Sequence, residues 1–450
     1  MVNGPLLIAI LGVAVVFIVV ATTRFRVHPF LALLIAAYGM GLGSGLSPEK
    51  TVAAITGGFG KTVGYIGIVI ACGSIIGVVL EKSGCARVMA ESIIRLIGKS
   101  RSVLAMSCTG AAVSVPVFCD SGFVVLSPLI RSLARQTGTS LATYAVALSM
   151  GLYATHVLVP PTPGPIAAAG ELGADIGMVI VLGLLVSIPI VATTYVYATL
   201  AGRRVFLDPG VLDTDEIPAP AGEVSHGAVA AFAPIFVPVF LIAIKSLAEL
   251  PAAPFGAGYL KTFAVMVGDP NTALILGVFI AWWVVRRNGF AVFGGWSGDG
   301  LRVAGTIILI TAAGGAFGGV LRETPMARLL GESLSSMDLG GLRILLPFLV
   351  AASLKTAIGS STVAIITTAS LFSPLLLPLG LSEGLGPVLT TMAIGVGSMM
   401  VSHVNDSFFW VITQMSGMSV AQGYRLVTAA SAVAGLTGIT VVLVLSLLLA

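Results

Sequence analysis

Charge is the scarcest property of this 450-residue chain: Asp, Glu, Lys and Arg make up 9% of it, against 57% hydrophobic residues and a mean hydropathy of +1.06. A water-soluble domain of this length with so few charges would expose vast apolar patches, which excludes a soluble fold. The net charge of +4 is small. Its positive members sit in short loops, the usual bias of cytoplasmic loops and not a nucleic-acid surface. Cysteine is sparse too: Cys72, Cys85, Cys108 and Cys119 show no CxxC spacing. At least three lie in or beside apolar runs, so they read as packing residues rather than a disulfide or metal framework. No P-loop, HExxH or GxSxG stands in a suitable context, which leaves ATP-driven transport by this chain and soluble-type hydrolysis unsupported. The chain does not read as an enzyme, and no cofactor is expected.

What the chain has in abundance is apolar runs. They recur from end to end at about 17–25 residues, each long enough to cross a hydrocarbon core of about 30 Å as a helix. Barrel strands would be half as long and alternating. The expected fold is therefore an all-α polytopic membrane protein. Residues 3–22 and 28–46 read as the first two spans, 48–60 as a short interfacial segment and 62–80 as a third span. Arg87, Arg95, Lys99 and Arg101 then mark a cytoplasmic stretch. Residues 102–130 are apolar yet are followed by Arg131 and Arg135, a second cytoplasmic mark. A segment that starts and returns on one side, with Pro116, Asp120 and Gly122 in its middle, reads as a re-entrant hairpin with a non-helical tip. Such a tip is tolerated at membrane depth only where it is buried in protein or lines a cavity.

Pro160, Pro161, Pro163 and Pro165 forbid regular helix in the middle of 141–173, which reads as a span broken in mid-membrane. Residues 176–200 cross back to Arg203 and Arg204. The polar, Pro-rich stretch 202–226 reads as a cytoplasmic linker between two halves, 1–201 and 227–450. In the second half, spans are expected at 228–247 and 271–285, the latter ending in Trp282, Trp283, Arg286 and Arg287. An internal repeat is visible at a constant offset of 241: Gly77, Val79, Leu80, Ala86, Arg87, Glu91 and Ser92 match Gly318, Val320, Leu321, Ala327, Arg328, Glu332 and Ser333. The same offset lays Asp120 on Ser361, and an offset of 247 lays His156 on His403.

Basic loops place Glu81-Lys82 inside while the span count places Arg322 outside, so the copies run in opposite directions. That is the inverted repeat of many secondary transporters. About ten spans result, two of them broken (141–173 and 387–416), with re-entrant hairpins near 102–130 and 343–379 and both termini periplasmic. Residues 425–449 form the last span.

Polar residues at the breaks are the candidate site. Asp120 either caps a hairpin helix by accepting backbone N–H bonds or handles solute or proton, and the two roles are compatible. Ser121, Ser360, Ser361 and Thr362 supply neutral donors where new helices open, points that attract an anion without a fixed cation. His156 and His403 are half of the four histidines and sit at matching places in the repeat, as ligand donors or protonation switches, or else as satisfied core residues. Asn405 and Asp406 follow the second of them, and Asp406 is a second candidate proton carrier or a structural cap. Lys355 has three readings: it pairs with an acid, it binds the substrate carboxylate, or it snorkels outward. The Gly73xxxGly77 and Gly314xxxGly318 spacings read as close helix packing. An intramembrane metalloenzyme using His156, His403 and Asp406 is the outlying alternative, with nothing positive to support it.

Four stretches together resemble one family. They are the hairpin Pro116-Val117-Phe118-Cys119-Asp120-Ser121-Gly122-Phe123, the break from His156 through Pro160-Pro161-Thr162-Pro163-Gly164-Pro165, the tip Gly359-Ser360-Ser361-Thr362-Val363, and Ser402-His403-Val404-Asn405-Asp406-Ser407-Phe408-Phe409-Trp410. In that order they are similar to the gluconate permease (GntP) family of proton symporters. The resemblance implies a bacterial inner-membrane importer of gluconate or a related small sugar acid, hydroxy acid or amino acid, driven by the proton gradient. It also implies kinship with the larger ion-transporter superfamily, whose members look like homodimers with a fixed scaffold and a moving, hairpin-bearing domain. Gluconate-type members often carry His where this chain has Thr162, which points to a shorter hydroxy acid. In this reading Ser121, Ser361 and Thr362 hold a carboxylate, and His156, Thr162, His403 and Asn405 read hydroxyls. Asp120 or Asp406 carries the proton, with sodium coupling as the alternative.

Overall fold

A computed structural model describes residues 4–98, 101–209, 227–249, 255, 258–324, 340–404 and 406–449. The described elements are all helical. In the first half they are α1 (Gly4–Thr23), α2 (Pro29–Gly43), α3 (Pro48–Lys82), α4 (Cys85–Ile97), α5 (Ser102–Val113), α6 (Cys119–Thr137), α7 (Leu141–Leu158), α8 (Pro163–Leu172) and α9 (Ile176–Gly202). The second half has α10 (Ala228–Ala248), α11 (Tyr259–Val267), α12 (Pro270–Val285), α13 (Phe290–Glu323), α14 (Leu345–Ile358), α15 (Ser361–Phe372), α16 (Gly386–Gly397), α17 (Ser407–Ser416), α18 (Val420–Gly423) and α19 (Ala429–Leu449). A π-helical turn, Tyr424–Thr428, joins the last two.

Both expected hairpins are pairs of helices with a break between them: α5 and α6 flank residues 114–118, and α14 and α15 flank Gly359 and Ser360. Gly359 ends α14 with φ of 84°, a left-handed value that other residues adopt only at a cost, and this lets the chain reverse at once. Both broken spans are broken as expected, α7 from α8 at residues 159–162 and α16 from α17 at residues 398–406.

One expectation is corrected. Residues 48–60 are not a separate interfacial piece but the first part of α3, which continues to Lys82 and bends by 46° between Tyr65 and Gly67. Ser47 caps its start by accepting from Lys50 N at 3.3 Å, and Pro48 occupies the first turn where its missing N–H is not needed. The span expected at 271–285 likewise extends back through a 63° bend to α11. Among the described residues, five helices are long and apolar enough to cross a membrane, or seven if each bent pair is one span. The remaining units of the expected ten are shorter helices or helix–break–helix pairs.

The element order repeats with the sequence. Adding 241 to the ends of α3 gives 289 and 323, and α13 runs Phe290–Glu323. Packing repeats as well: α5 lies on α7 and α7 on α9, as α14 lies on α16 and α16 on α19. The copies also interlock crosswise, with α8 against α15 and α17 against α6, while α3 packs along α13. Every residue of α7 is buried, as is every residue of α16 from Pro387 on, so these two helices form the heart of the bundle. The glycines of α3 admit the breaks: a Cβ on Gly77 would stand 2.4 Å from the Pro116 carbonyl oxygen, and one on Gly73 3.0 Å from that of Pro161. The Gly314 and Gly318 positions are equally tight, against Ser370 and Glu171.

Candidate functional site

Three of the four breaks, the first, third and fourth, meet beside α7. Lys355, in the last turn of α14, is fully buried and reaches across to the fourth break, where its Nζ lies 2.6 Å from Asp406 Oδ2. The same ammonium donates to the Gly359 carbonyl at 2.5 Å. Asp406 is the N-cap of α17, accepting from Phe408 N at 3.1 Å, and takes a further bond from Ser402 Oγ at 2.5 Å. Of the three readings of Lys355, the geometry is that of pairing with an acid. A buried ion pair is tolerable only when hydrogen bonds support it, and here the ammonium has the Gly359 carbonyl and the carboxylate has Ser402 Oγ and Phe408 N–H besides each other.

Tyr153, in the second turn from the end of α7, ties two more pieces to this cluster. Its hydroxyl lies 2.6 Å from Ser361 Oγ and donates to the Ser398 carbonyl at 3.1 Å, and its ring stands 5.7 Å from the Lys355 ammonium. Phe408 packs edge-on against both Tyr153 and Phe123, so the first turn of α17 is wedged between α7 and α6. Asp120, in the first turn of α6, is half-buried and accepts from Ser407 Oγ at 3.4 Å. It has no ion-pair partner within 4 Å among the described residues. The cluster thus contains one compensated pair and one uncompensated acid.

The sequence as a whole matches the family described as GntP family permease over residues 5–448. This chain belongs to the GntP permease family. Its sequence is 34% identical to a gluconate permease of Pseudomonas aeruginosa over 97% of both chains, and 32% identical to the D-serine transporter DsdX of Escherichia coli K12 over 98% of both. Its fold resembles the crystal structure of the Alcanivorax borkumensis YdaH transporter, with a TM-score of 0.66 over 93% of this chain and 98% of that one at 16% identity. The protein is therefore a multi-pass membrane permease and not an enzyme.

In this GntP permease the other sequence-predicted residues are distributed around the cluster. His156 is buried on α7, its ring 5.8 Å from that of Phe118 in the first break, and its Nδ1 has no hydrogen-bond partner among the described residues. His403 Nε2 lies 3.0 Å from the Thr356 carbonyl oxygen, which ties the fourth break to the third. Thr162 is turned inward on its own break, donating to the Val159 carbonyl at 2.6 Å. Ser360 caps α15 by accepting from Val363 N at 3.4 Å, and Thr362 follows in its first turn. Ser121 differs from the rest, because its hydroxyl is turned to Glu81 at the end of α3. Asn405 lies outside the described residues. Tyr153 and Ser398 are additions that sequence reading missed, the one signal being a tyrosine inside an otherwise apolar helix; Ser402 and Ser407 stood in the quoted motif with no role assigned. No cluster of three or more His, Cys, Asp or Glu side chains suited to a metal ion occurs among the described residues.

Proposed function

We propose that this permease is a secondary active proton symporter that imports gluconate or a related small hydroxycarboxylate across a bacterial inner membrane. The observation that carries the reading is the uncompensated acid, Asp120, beside the neutral Lys355–Asp406 pair where three helix breaks converge. A solute carboxylate about 4 Å from ionised Asp120 would be repelled by about 4 kcal/mol at an effective dielectric constant near 20. Protonating Asp120 removes that repulsion, so proton and anion enter together. Asp406, already engaged by Lys355, Ser402 and Phe408 N–H, is the poorer proton carrier of the two acids.

In this reading the solute carboxylate rests on Ser360, Ser361, Thr362 and the free N–H groups that open α15, where the helix dipole favours an anion. Its hydroxyls are read by His156, Thr162, His403 and Asn405, whereas Ser121, turned to Glu81, is left out of the solute site. The reading has two oppositely oriented copies, with both termini periplasmic and 202–226 cytoplasmic, and the basic loops of the sequence support that orientation. The hairpin-bearing body would move against a scaffold built from residues 3–46 and 228–285, in a homodimer. Purified protein in liposomes should accumulate labelled gluconate, or a shorter hydroxy acid, when the outside is acidified. Failure to accumulate any sugar acid, hydroxy acid or amino acid under a pH gradient would defeat the proposal.

A further inference from the structure

The central cluster contains no uncompensated cation among its described residues, yet the proposed cargo is an anion, so the charge that gathers it must stand elsewhere. Two cavities open beside Tyr65 of α3. One, of about 310 Å³, is lined by Lys245, Asp175 and Asp269 and carries a net negative charge. The other, of about 330 Å³, is lined by Lys61, Thr62, Glu171, Arg322 and Ser373 and carries a net positive one. Both volumes suit a small solute.

The walls of the positive cavity are fixed. Arg322, on the last turn of α13, donates to Glu171 Oε1 at 3.0 Å and to the hydroxyl of Ser373. Glu171 accepts from Thr62 Oγ1 at 3.4 Å through its other oxygen, and its main-chain carbonyl accepts from Ser373 Oγ at 2.7 Å. That carboxylate is therefore spoken for, its side chain only 5% exposed. Lys61 is different: it is exposed and makes no ion pair or hydrogen bond among the described residues, although its charge is close enough to act on Glu171. It is the free cation of the cavity.

Placement gives this charge a purpose. The cavity lies at the far ends of α8 and α15, two helices packed on each other, and the near end of α15, at Ser360 and Ser361, belongs to the central cluster. The ten residues of α8 put the two places about 15 Å apart at 1.5 Å per residue. We propose that this cavity is an outer antechamber that collects the small organic anion before it reaches the central cluster, with Lys61 as the cation the solute meets first. The inference rests on the reading of the permease as a carrier of a small carboxylate.

Uptake of labelled gluconate and of D-serine, the two probes, tests it. Lys61→Gln should raise KM for the transported probe about tenfold at low ionic strength with the maximal rate unchanged, and the difference should close as salt screens the charge. Lys61→Arg should keep the parent values. A thiol at this position, Lys61→Cys, should react with a membrane-impermeant maleimide in intact cells, and the transported probe should slow that reaction. Parent-like KM and salt dependence in Lys61→Gln, or a thiol that reacts only after permeabilisation, would overturn the antechamber alone. A parent protein that transports no acid at all would overturn the functional reading and this inference with it.

Discussion

Replacing Asp406 by Asn would strip the compensating charge from a lysine whose side chain has no exposed surface at all. The ammonium would keep the Gly359 carbonyl, but its charge would face only the dipole of the new amide. Breaking a buried pair from one side costs about 3–5 kcal/mol, because the surviving charge has lost its water without keeping its partner. Lys355→Met should cost less, since the carboxylate left behind retains Ser402 Oγ and Phe408 N–H and can take up a proton. In the double variant Lys355→Met/Asp406→Asn both charges are gone and the amide oxygen still caps α17, so most of the loss should be recovered. At about 2 °C per kcal/mol, Asp406→Asn should lower the melting temperature of the protein in lipid nanodiscs by about 6–10 °C. The double variant should regain more than half of that. A double variant that melts at the sum of the two single losses, or single variants that melt within about 1 °C of the parent, would refute mutual compensation by this pair.

Asp120→Asn should leave gluconate counterflow intact and abolish accumulation driven by a pH gradient, measured in the same liposomes; undiminished accumulation would remove Asp120 from the coupling step. Replacing sodium by choline at fixed pH should leave uptake unchanged, and a collapse of uptake would assign the coupling to sodium. Gly77→Ala should lower stability by about 1–3 kcal/mol, because the new methyl would meet the Pro116 carbonyl oxygen at 2.4 Å and the first break would have to shift. Gly39→Ala, with nothing within 4 Å of its added methyl, should be neutral or slightly stabilising in the same thermal melt.

The breaks were legible in the sequence because proline, glycine and acid are expensive inside an apolar helix, and each stood where an uninterrupted span was otherwise expected. The Gly-rich start of α3 misled for the same reason. Gly57, Gly58 and Gly60 resemble a loop, but Gly58 packs against the Gly315 backbone of α13 and stays helical. Partnerships were harder to read than breaks. Lys355 and Asp406 are 51 positions apart, and only the folded chain shows which of the nineteen acids a lysine will meet. Tyr153 was missed because a tyrosine in an apolar run looks like core, and its hydroxyl matters only once Ser361 and Ser398 are known to lie over it. Ser121, read together with Asp120, lies one position further round the helix, which turns it toward Glu81.

The hydroxyl of Tyr153, on α7, meets α15 and the end of α16 at one atom, and the salt link between Lys355 and Asp406 adds α14 and the start of α17. On the proposed reading, a pocket fastened in this way would travel as a single piece and present the same grip to whichever compartment it faced. Direction is then no property of the protein: vesicles loaded with solute and given a reversed gradient should run the same molecule as an exporter.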